Sequence, residues 1–268
     1  MCSRSGHCRR EPHVDQKTKG NQLVKTAWYL GHSADKIGNS AILVGDPARV
    51  SRIADLLEAP DFLPETRGLK TVTGNYNGQR VTIAAFGMGA PIATIVLHEL
   101  AYLGIKTFLR IGTAMYFPPA LPGDFVISAS ALSFEGTSAA YTISDAPPVA
   151  DPALVQTLVA SAAKRGAAPK TGIFATFDAF YRDMFGIDAA GHKRAGETRA
   201  MLRDGGVLAA DMETSALLTA AEALDVSCAS FCLGTVNGIN QKKLMPELLA
   251  QGEMQMFRIA LDAMTAKG

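Results

Sequence analysis

No run of apolar residues in the sequence reaches the roughly 18 that a membrane span requires. Charge is balanced: the 268 residues carry a formal net charge of +1, so there is no general electrostatic case for nucleic acid or an anionic membrane as partner. Cysteine is scarce. Cys228 and Cys232 lie in the apolar run "VSCASFCLGTV" and read as reduced core residues, and nothing suggests a disulfide framework. Cys2, His7, Cys8 and His13 follow no zinc-ligand spacing, so no metal is expected. There is no P-loop and no G-x-S-x-G nucleophile elbow. The opening stretch "MCSRSGHCRREPHVDQKTKGNQ" is polar and lacks the apolar centre of a signal peptide. The expectation is a cytoplasmic protein, with residues 1–28 as a mobile lead-in to one domain over residues 29–268.

What remains fits a protein with a sizeable core: 48% of residues are hydrophobic and 19% charged. From about residue 41, strand-like and helix-like patterns alternate. Strands are expected at 40–44, 69–74, 79–86, 105–111, 124–131, 170–177, 206–210 and 227–236. Helices are expected at 91–104, 151–165, 190–203, 212–224 and 244–266. Asn77-Gly78, between the second and third strands, is a strong hairpin signal. Pro91 suits the first turn of its helix. The pattern indicates a single α/β domain with a central mixed β-sheet flanked by helices on both sides.

Ligands in such sheets sit outside the carboxyl ends of strands. That gathers "GDPAR" (45–49), "RIGT" (110–113), "FDAFY" (177–181), "DME" (211–213) and "TVNG" (235–238) on one candidate rim. Gly45 could offer backbone N–H groups to an anion, with Arg49 adding a forked cation, or the segment is an ordinary turn. Arg110 inside the apolar "FLRIG" demands an opposite charge. Either a core ion pair or an anion held with the Thr113 hydroxyl would satisfy it. Asp211 and Glu213 stand where a strand meets a helix; they could cap that helix, or Glu213 could accept hydrogen bonds from a sugar diol. His98, within an apolar helix, reads as a packing residue.

Together these segments resemble the nucleoside phosphorylase family, which includes uridine phosphorylases and hexameric purine nucleoside phosphorylases. The likeness is carried by "ILVGDPARVSRIADLL" (42–57), "GMGAPIATIVLHELAYLGIKTFLRIGT" (87–113), "FDAFY" (177–181) and "ADMETSALL" (210–218), in family order, with the second nearest to uridine phosphorylases. The resemblance implies a nucleoside-phosphorylase-like fold and reversible cleavage of a nucleoside by inorganic phosphate, its co-substrate, giving ribose 1-phosphate and a free base. No other cofactor is implied. Gly45, Arg49, Arg110 and Thr113 match phosphate-binding positions, and Met212 and Glu213 match ribose-contacting ones. Phe180 matches an aromatic residue near base and sugar. Arg67, in "PETRGL", matches an arginine that reaches into a neighbouring subunit's site, implying a homodimer or homohexamer with shared sites. Tyr29 or His32 stands near the place of a histidine that approaches the sugar.

The base side departs from the family. Where uridine phosphorylases carry a glutamine and an arginine to read uracil, "FYRDMFGID" has Met184 and Gly186, with Arg182 as a possible substitute. A family glycine against which the base lies is Met115. Asn237 takes the place of an aspartate that protonates purines, and it cannot act as an acid. Asp211 replaces a glutamate. The expectation is therefore uridine-phosphorylase-like phosphorolysis with altered base recognition. The alternatives are a purine nucleoside phosphorylase, a hydrolytic nucleosidase, and a non-catalytic homologue whose base pocket Met115 has closed.

Overall fold

The computed structural model describes residues 17–19, 22–143 and 146–266. The readings of Cys2, His7, Cys8 and His13 lie outside the described residues. Within the lead-in, β1 (Lys17–Lys19) pairs antiparallel with β2 (Gln22–Val24), apart from the main sheet. Then β3 (Ser40–Val44) runs fully buried into α1 (Pro47–Ala54). An exposed edge strand, β4 (Glu58–Phe62), precedes the hairpin of β5 (Thr71–Tyr76) and β6 (Gln79–Ala85). Next come α2 (Ala90–Leu103), β7 (Thr107–Tyr116), β8 (Phe125–Phe134), the short α3 (Ser138–Tyr141) and α4 (Pro152–Lys164). Then β9 (Lys170–Phe177) leads through a π-helical turn (Tyr181–Phe185) to α5 (Ala189–Asp204). The chain continues with β10 (Val207–Asp211), α6 (Thr214–Leu224), β11 (Ser227–Asn237) and α7 (Pro246–Met264).

Local chemistry explains several boundaries. Asp46 caps α1 by accepting from the Ala48 N–H at 2.9 Å, and Pro47 fills the first turn, where no N–H is needed. Asp151 and Pro152 repeat the device on α4, a cap typically contributing about 1 kcal/mol. Asn77 and Gly78 both have positive φ, +50° and +73°, the signature of a type I′ turn, so the Asn-Gly hairpin signal reads through to the structure. Every residue of α6 from Thr214 to Ala221 is buried. Its small side chains let it sit between α2 and the sheet, where it packs on β8, β9 and β11.

The nine-stranded sheet runs β10-β9-β8-β11-β7-β3-β6-β5-β4 and is mixed, as expected. Parallel pairs join β3 to β6 and β7, β7 to β11, β8 to β9 and β9 to β10. Antiparallel pairs join β4 to β5, β5 to β6 and β8 to β11. One further pairing matters most. The end of β7 turns from β3 to pair antiparallel with β10, Ala210 opposite Met115 and Ala209 opposite Tyr116. That closes β10, β9, β8, β11 and β7 into a ring.

Here the expectation for 105–111 needs correction: the strand continues to Tyr116, because "TAMY" has β10 and β11 as partners. Arg110 consequently lies mid-strand. The helix α1, the edge strand β4, the short α3 and the π-helical turn were not expected either.

Gly38, just before β3, donates its N–H to Thr82 Oγ1 at 2.7 Å and lies flat against β6. A Cβ there would come within 2.6 Å of the Arg80 carbonyl oxygen, a backbone atom that has nowhere to go. Gly38→Ala should cost about 2 kcal/mol and lower the melting temperature by about 4–8 °C in a thermal denaturation scan. An unchanged melting temperature would show that the β3–β6 approach is looser than described.

Candidate active site

The site begins where two parallel strands end side by side. Gly45, after β3, accepts the Gly87 N–H at 3.0 Å, and a Cβ on Gly45 would lie 2.8 Å from the Gly87 carbonyl oxygen. Only glycine lets these backbones approach so closely. One turn into α1, Arg49 places Nε and Nη2 each 2.8 Å from Glu253 Oε1 of α7. Arg52 holds the other oxygen of Glu253 at 2.6 Å and stacks over Phe257. Glu253 was not foreseen; an acidic residue on the buried face of α7 was its only signal.

Arg110 is buried, and its guanidinium folds back over Gly112, two residues along the same face of β7. A Cβ at Gly112 would sit 3.1 Å from Arg110 Cζ and Nη2. Arg110 Nη1 lies 2.9 Å from Asp211 Oδ2 and against Cys232 Sγ, and Nη2 donates to Glu213 Oε2 at 2.6 Å. Nε has no partner although it is buried. The ion-pair reading of Arg110 is borne out, and the pair lines the floor of a cavity.

Asp211 is held in turn by the hydroxyls of Thr176 and Thr214 and by the N–H groups of Glu213 and Thr214, so it helps to start α6. Glu213 Oε1 accepts the Gly89 N–H at 2.8 Å, at the N-terminus of α2. Gly89 has φ +102°, a conformation open to glycine.

Burial shapes the ionisation of this cluster. It opposes charge on Arg110, but the carboxylates of Asp211 and Glu213 overcome it and leave the guanidinium firmly charged. Glu213 is pushed above the ordinary carboxylate range by burial, with Asp211 adding to the push and Arg110 and the Gly89 N–H opposing it. Burial lifts the Cys232 thiol to about 12, so it stays protonated.

A cavity of about 540 Å³ opens above these groups. It brings together Gly45, Arg49, Arg110, Thr113, Met115, Phe180, Met212 and Glu213 with Thr235 and Val236 of β11, so each expected rim segment contributes. Met115 is almost wholly buried in a small apolar cluster with Phe117, Met184 and Ala210, so it forms part of the wall and leaves the cavity open. Two arginines, Arg49 and Arg110, face three carboxylates, Asp46, Asp211 and Glu213, among the ionisable lining residues, a formal balance of −1.

Three expected site residues, Met184, Asn237 and Tyr29, lie outside this cavity, as does Arg67, which the resemblance assigns to a neighbouring subunit's site. Met184 is fully buried behind Met115, its carbonyl accepting from Arg199 and from Gln241. Asn237 spends its carboxamide oxygen on the N–H groups of Ile239 and Asn240, capping a turn, and its amide reaches the Tyr116 hydroxyl at 3.3 Å. Arg67 and Tyr29 stack on one another 5.1 Å apart, away from this chain's own cavity. The backbone N–H groups of Tyr29 and Leu30 bind Glu99 on the outer side of α2. His32 is buried beside them and burial lowers it to about 4, leaving it neutral.

The remaining candidates lie outside the cavity lining. Arg182 pairs with its neighbour Asp183, and Gly186 turns the chain tightly against His192. His98 meets the Tyr141 hydroxyl at 3.2 Å, a packed and satisfied residue.

Known proteins resemble this arrangement along nearly its whole length. Residues 39–259 match the phosphorylase superfamily. The chain is 32% identical to the uridine phosphorylase of Haemophilus influenzae, over 84% of this chain and 91% of that protein. It is 30% identical to the guanosine phosphorylase of Halorubrum lacusprofundi, over 84% and 92% of the two chains. A DeoD-type purine nucleoside phosphorylase of Caldanaerobacter subterraneus is likewise 30% identical, over 87% and 98%. These relatives are named for uridine, guanosine and purine nucleosides, so both pyrimidine and purine substrates appear among their names. The strand-end glycine, the buried arginine and the "ADMETSALL" turn all lie inside the matched span, and the chain belongs to the phosphorylase superfamily.

Proposed function

We propose that this protein is a nucleoside phosphorylase that cleaves a nucleoside with inorganic phosphate, uridine-phosphorylase-like in its phosphate and sugar ends and altered in base recognition. One observation carries the reading: the hydrogen bonds that the charged floor has left to make. A guanidinium has five N–H donors. Asp211, Cys232 and Glu213 use three of those on Arg110, leaving two, the buried Nε–H among them. A carboxylate offers about four acceptor sites. Arg110 and Gly89 use two on Glu213, leaving two, the number that a vicinal diol needs. An anion beside a sugar diol would meet both demands.

In the proposed reaction a phosphate oxygen attacks C1′ of the sugar. The C1′–N bond breaks with its electron pair going to the base, which then takes a proton from water. The sugar passes through an oxocarbenium-like state. Phosphate on Arg110, Arg49 and Thr113 would serve as nucleophile and as the negative charge opposing that cation. Met212 and Glu213 would fix the sugar. A cavity with a formal balance of −1 needs another cation to hold phosphate, and Arg67 with Tyr29 from a second copy would supply it in a shared site.

The direct test is incubation with a panel of nucleosides, with and without inorganic phosphate. Free base and ribose 1-phosphate should appear only with phosphate. Release without phosphate, or none at all, overturns the proposal.

Gly45→Ala should lower kcat/KM for phosphate about 100-fold, because its Cβ forces the two strand ends apart at the anion site. Steady-state kinetics at varied phosphate would detect this, and wild-type kinetics would remove Gly45 from the site.

The pH profile supplies another check. Glu213 must be ionised to accept the sugar hydroxyls, and its value is raised above the ordinary 4.5. Activity should therefore fall as pH drops through that raised value, giving an acid limb above pH 4.5. A rate that stays flat down to pH 4.5 contradicts this role.

A further inference from the structure

The last residues of β11 break register in a way that bears on the cavity. β11 and β7 pair in regular parallel register from Ser227 to Gly234. Gly234 stands opposite Ala114, but Val236 stands opposite Met115, so Thr235 is an additional residue, a β-bulge. In a regular strand Thr235 and Val236 would face opposite sides of the sheet. A bulge re-aims side chains, and here both residues line the cavity. The bulge is well anchored. Gly234 donates to the Asp124 carbonyl at 2.9 Å and accepts from Gly123 at 3.0 Å, and the Thr235 carbonyl accepts from Leu244 at 2.7 Å. Gly234 also leaves room for Tyr116, whose Cδ1 a Cβ would meet at 3.0 Å.

Around this point the cavity wall is apolar, formed by Ala114, Met115, Phe180 and Val236. From β11, Thr235 brings a hydroxyl to the cavity beside this wall. Its hydroxyl meets only the Ala114 carbonyl, at 3.5 Å, where a hydrogen bond is at its weakest. Asn237, the candidate suggested by the sequence, has committed its carboxamide to a turn. The bulge thus delivers an underused donor to a surface otherwise fit for the face of a ring.

We propose that Thr235 is a specificity-determining residue that reads an oxo group on the base; this rests on the nucleoside phosphorylase reading above. As the C1′–N bond breaks, its electron pair leaves with the base, and negative charge spreads onto a ring oxo oxygen conjugated with the leaving nitrogen. The Thr235 hydroxyl donates a hydrogen bond to that oxygen and keeps its proton, and the base takes its proton from water. The wall residues Ala114, Met115, Phe180 and Val236 carry no proton donor, which suits bases that depart without a side-chain acid.

The test measures phosphate-dependent base release by the wild type, Thr235→Val and Thr235→Ser. The substrates are oxo-base nucleosides such as uridine and inosine, each beside its analogue lacking the ring oxo group. Thr235→Val keeps the shape and loses the hydroxyl. It should lower kcat/KM about 10- to 100-fold for the oxo-base substrates, erase their advantage over the analogues, and leave KM for phosphate unchanged. Thr235→Ser should remain within a few-fold of wild type. An active wild type with an unaltered Thr235→Val preference overturns the role of Thr235 and leaves the nucleoside reading standing. Equal losses in Thr235→Val and Thr235→Ser also overturn it, because the methyl group would then be what matters. A wild type that releases no base from any nucleoside overturns both.

Discussion

Burying the Arg110 guanidinium at the middle of β7 creates a demand that neighbouring strands cannot meet with apolar side chains. An isolated cation there would be prohibitively costly, and removing one partner from such a buried pair typically costs about 3–5 kcal/mol. Both carboxylates come from more than 100 residues further along, at the end of β10 and the start of α6. To bring them in, β10 pairs with the end of β7 and the sheet closes into a ring. Gly112 supplies the space in which the guanidinium lies back along its own strand. The start of α2 is drawn into the same cluster through the Gly89 N–H on Glu213. One charge therefore ties together the central strand, two helix starts and the closure of the sheet.

Arg49 shows the same logic on a smaller scale. It stands at the cavity edge on α1, yet its geometry is set by Glu253 on a helix more than 200 residues away. Glu253 is itself buried, and the two arginines on its two oxygens make that burial tolerable. Both arginines lining the cavity thus meet it with part of their hydrogen-bonding capacity already committed. That commitment fixes their orientation before any ligand arrives, which is how a charged site avoids reorganising at the moment of reaction.

How much of this was legible in the sequence follows from how local each feature is. The Asn77-Gly78 turn, the helix led by Pro91 and the apolar strands depend on neighbouring residues, and these could be read; α1, led by Pro47, was not. Arg110 was conspicuous because a cation in an apolar run is chemically anomalous wherever it falls. The course of β7 beyond Ile111 was not legible, because "TAMY" becomes a strand through partners in β10 and β11 that no local pattern announces. The bulge at Thr235 was hidden for the same reason: it exists only as a mismatch between two strands. Asn237 looked the better base-side candidate by residue type, but its own turn claims its carboxamide. Met184 looked like a pocket residue by position in a motif, yet the π-helical turn buries it behind Met115.

The cavity also rests on two different supports. Gly45 and Arg49 adjoin Val44 and Val50, which belong to the main core, while Arg110 is locked by its carboxylates. A substitution there disturbs the whole sheet. Met115, Phe180 and Val236 belong instead to a small separate cluster with Phe117, Phe177, Met184 and Leu202. Cores tolerate hydrophobic exchange when volume is kept, and methionine is the most adaptable of the apolar side chains. Exchanges within this small cluster can reshape one wall of the cavity while leaving the ion pairs of Arg110 untouched. Met115 shows the point: it is nearly buried in this cluster, forms part of the wall, and the cavity stays open beside it.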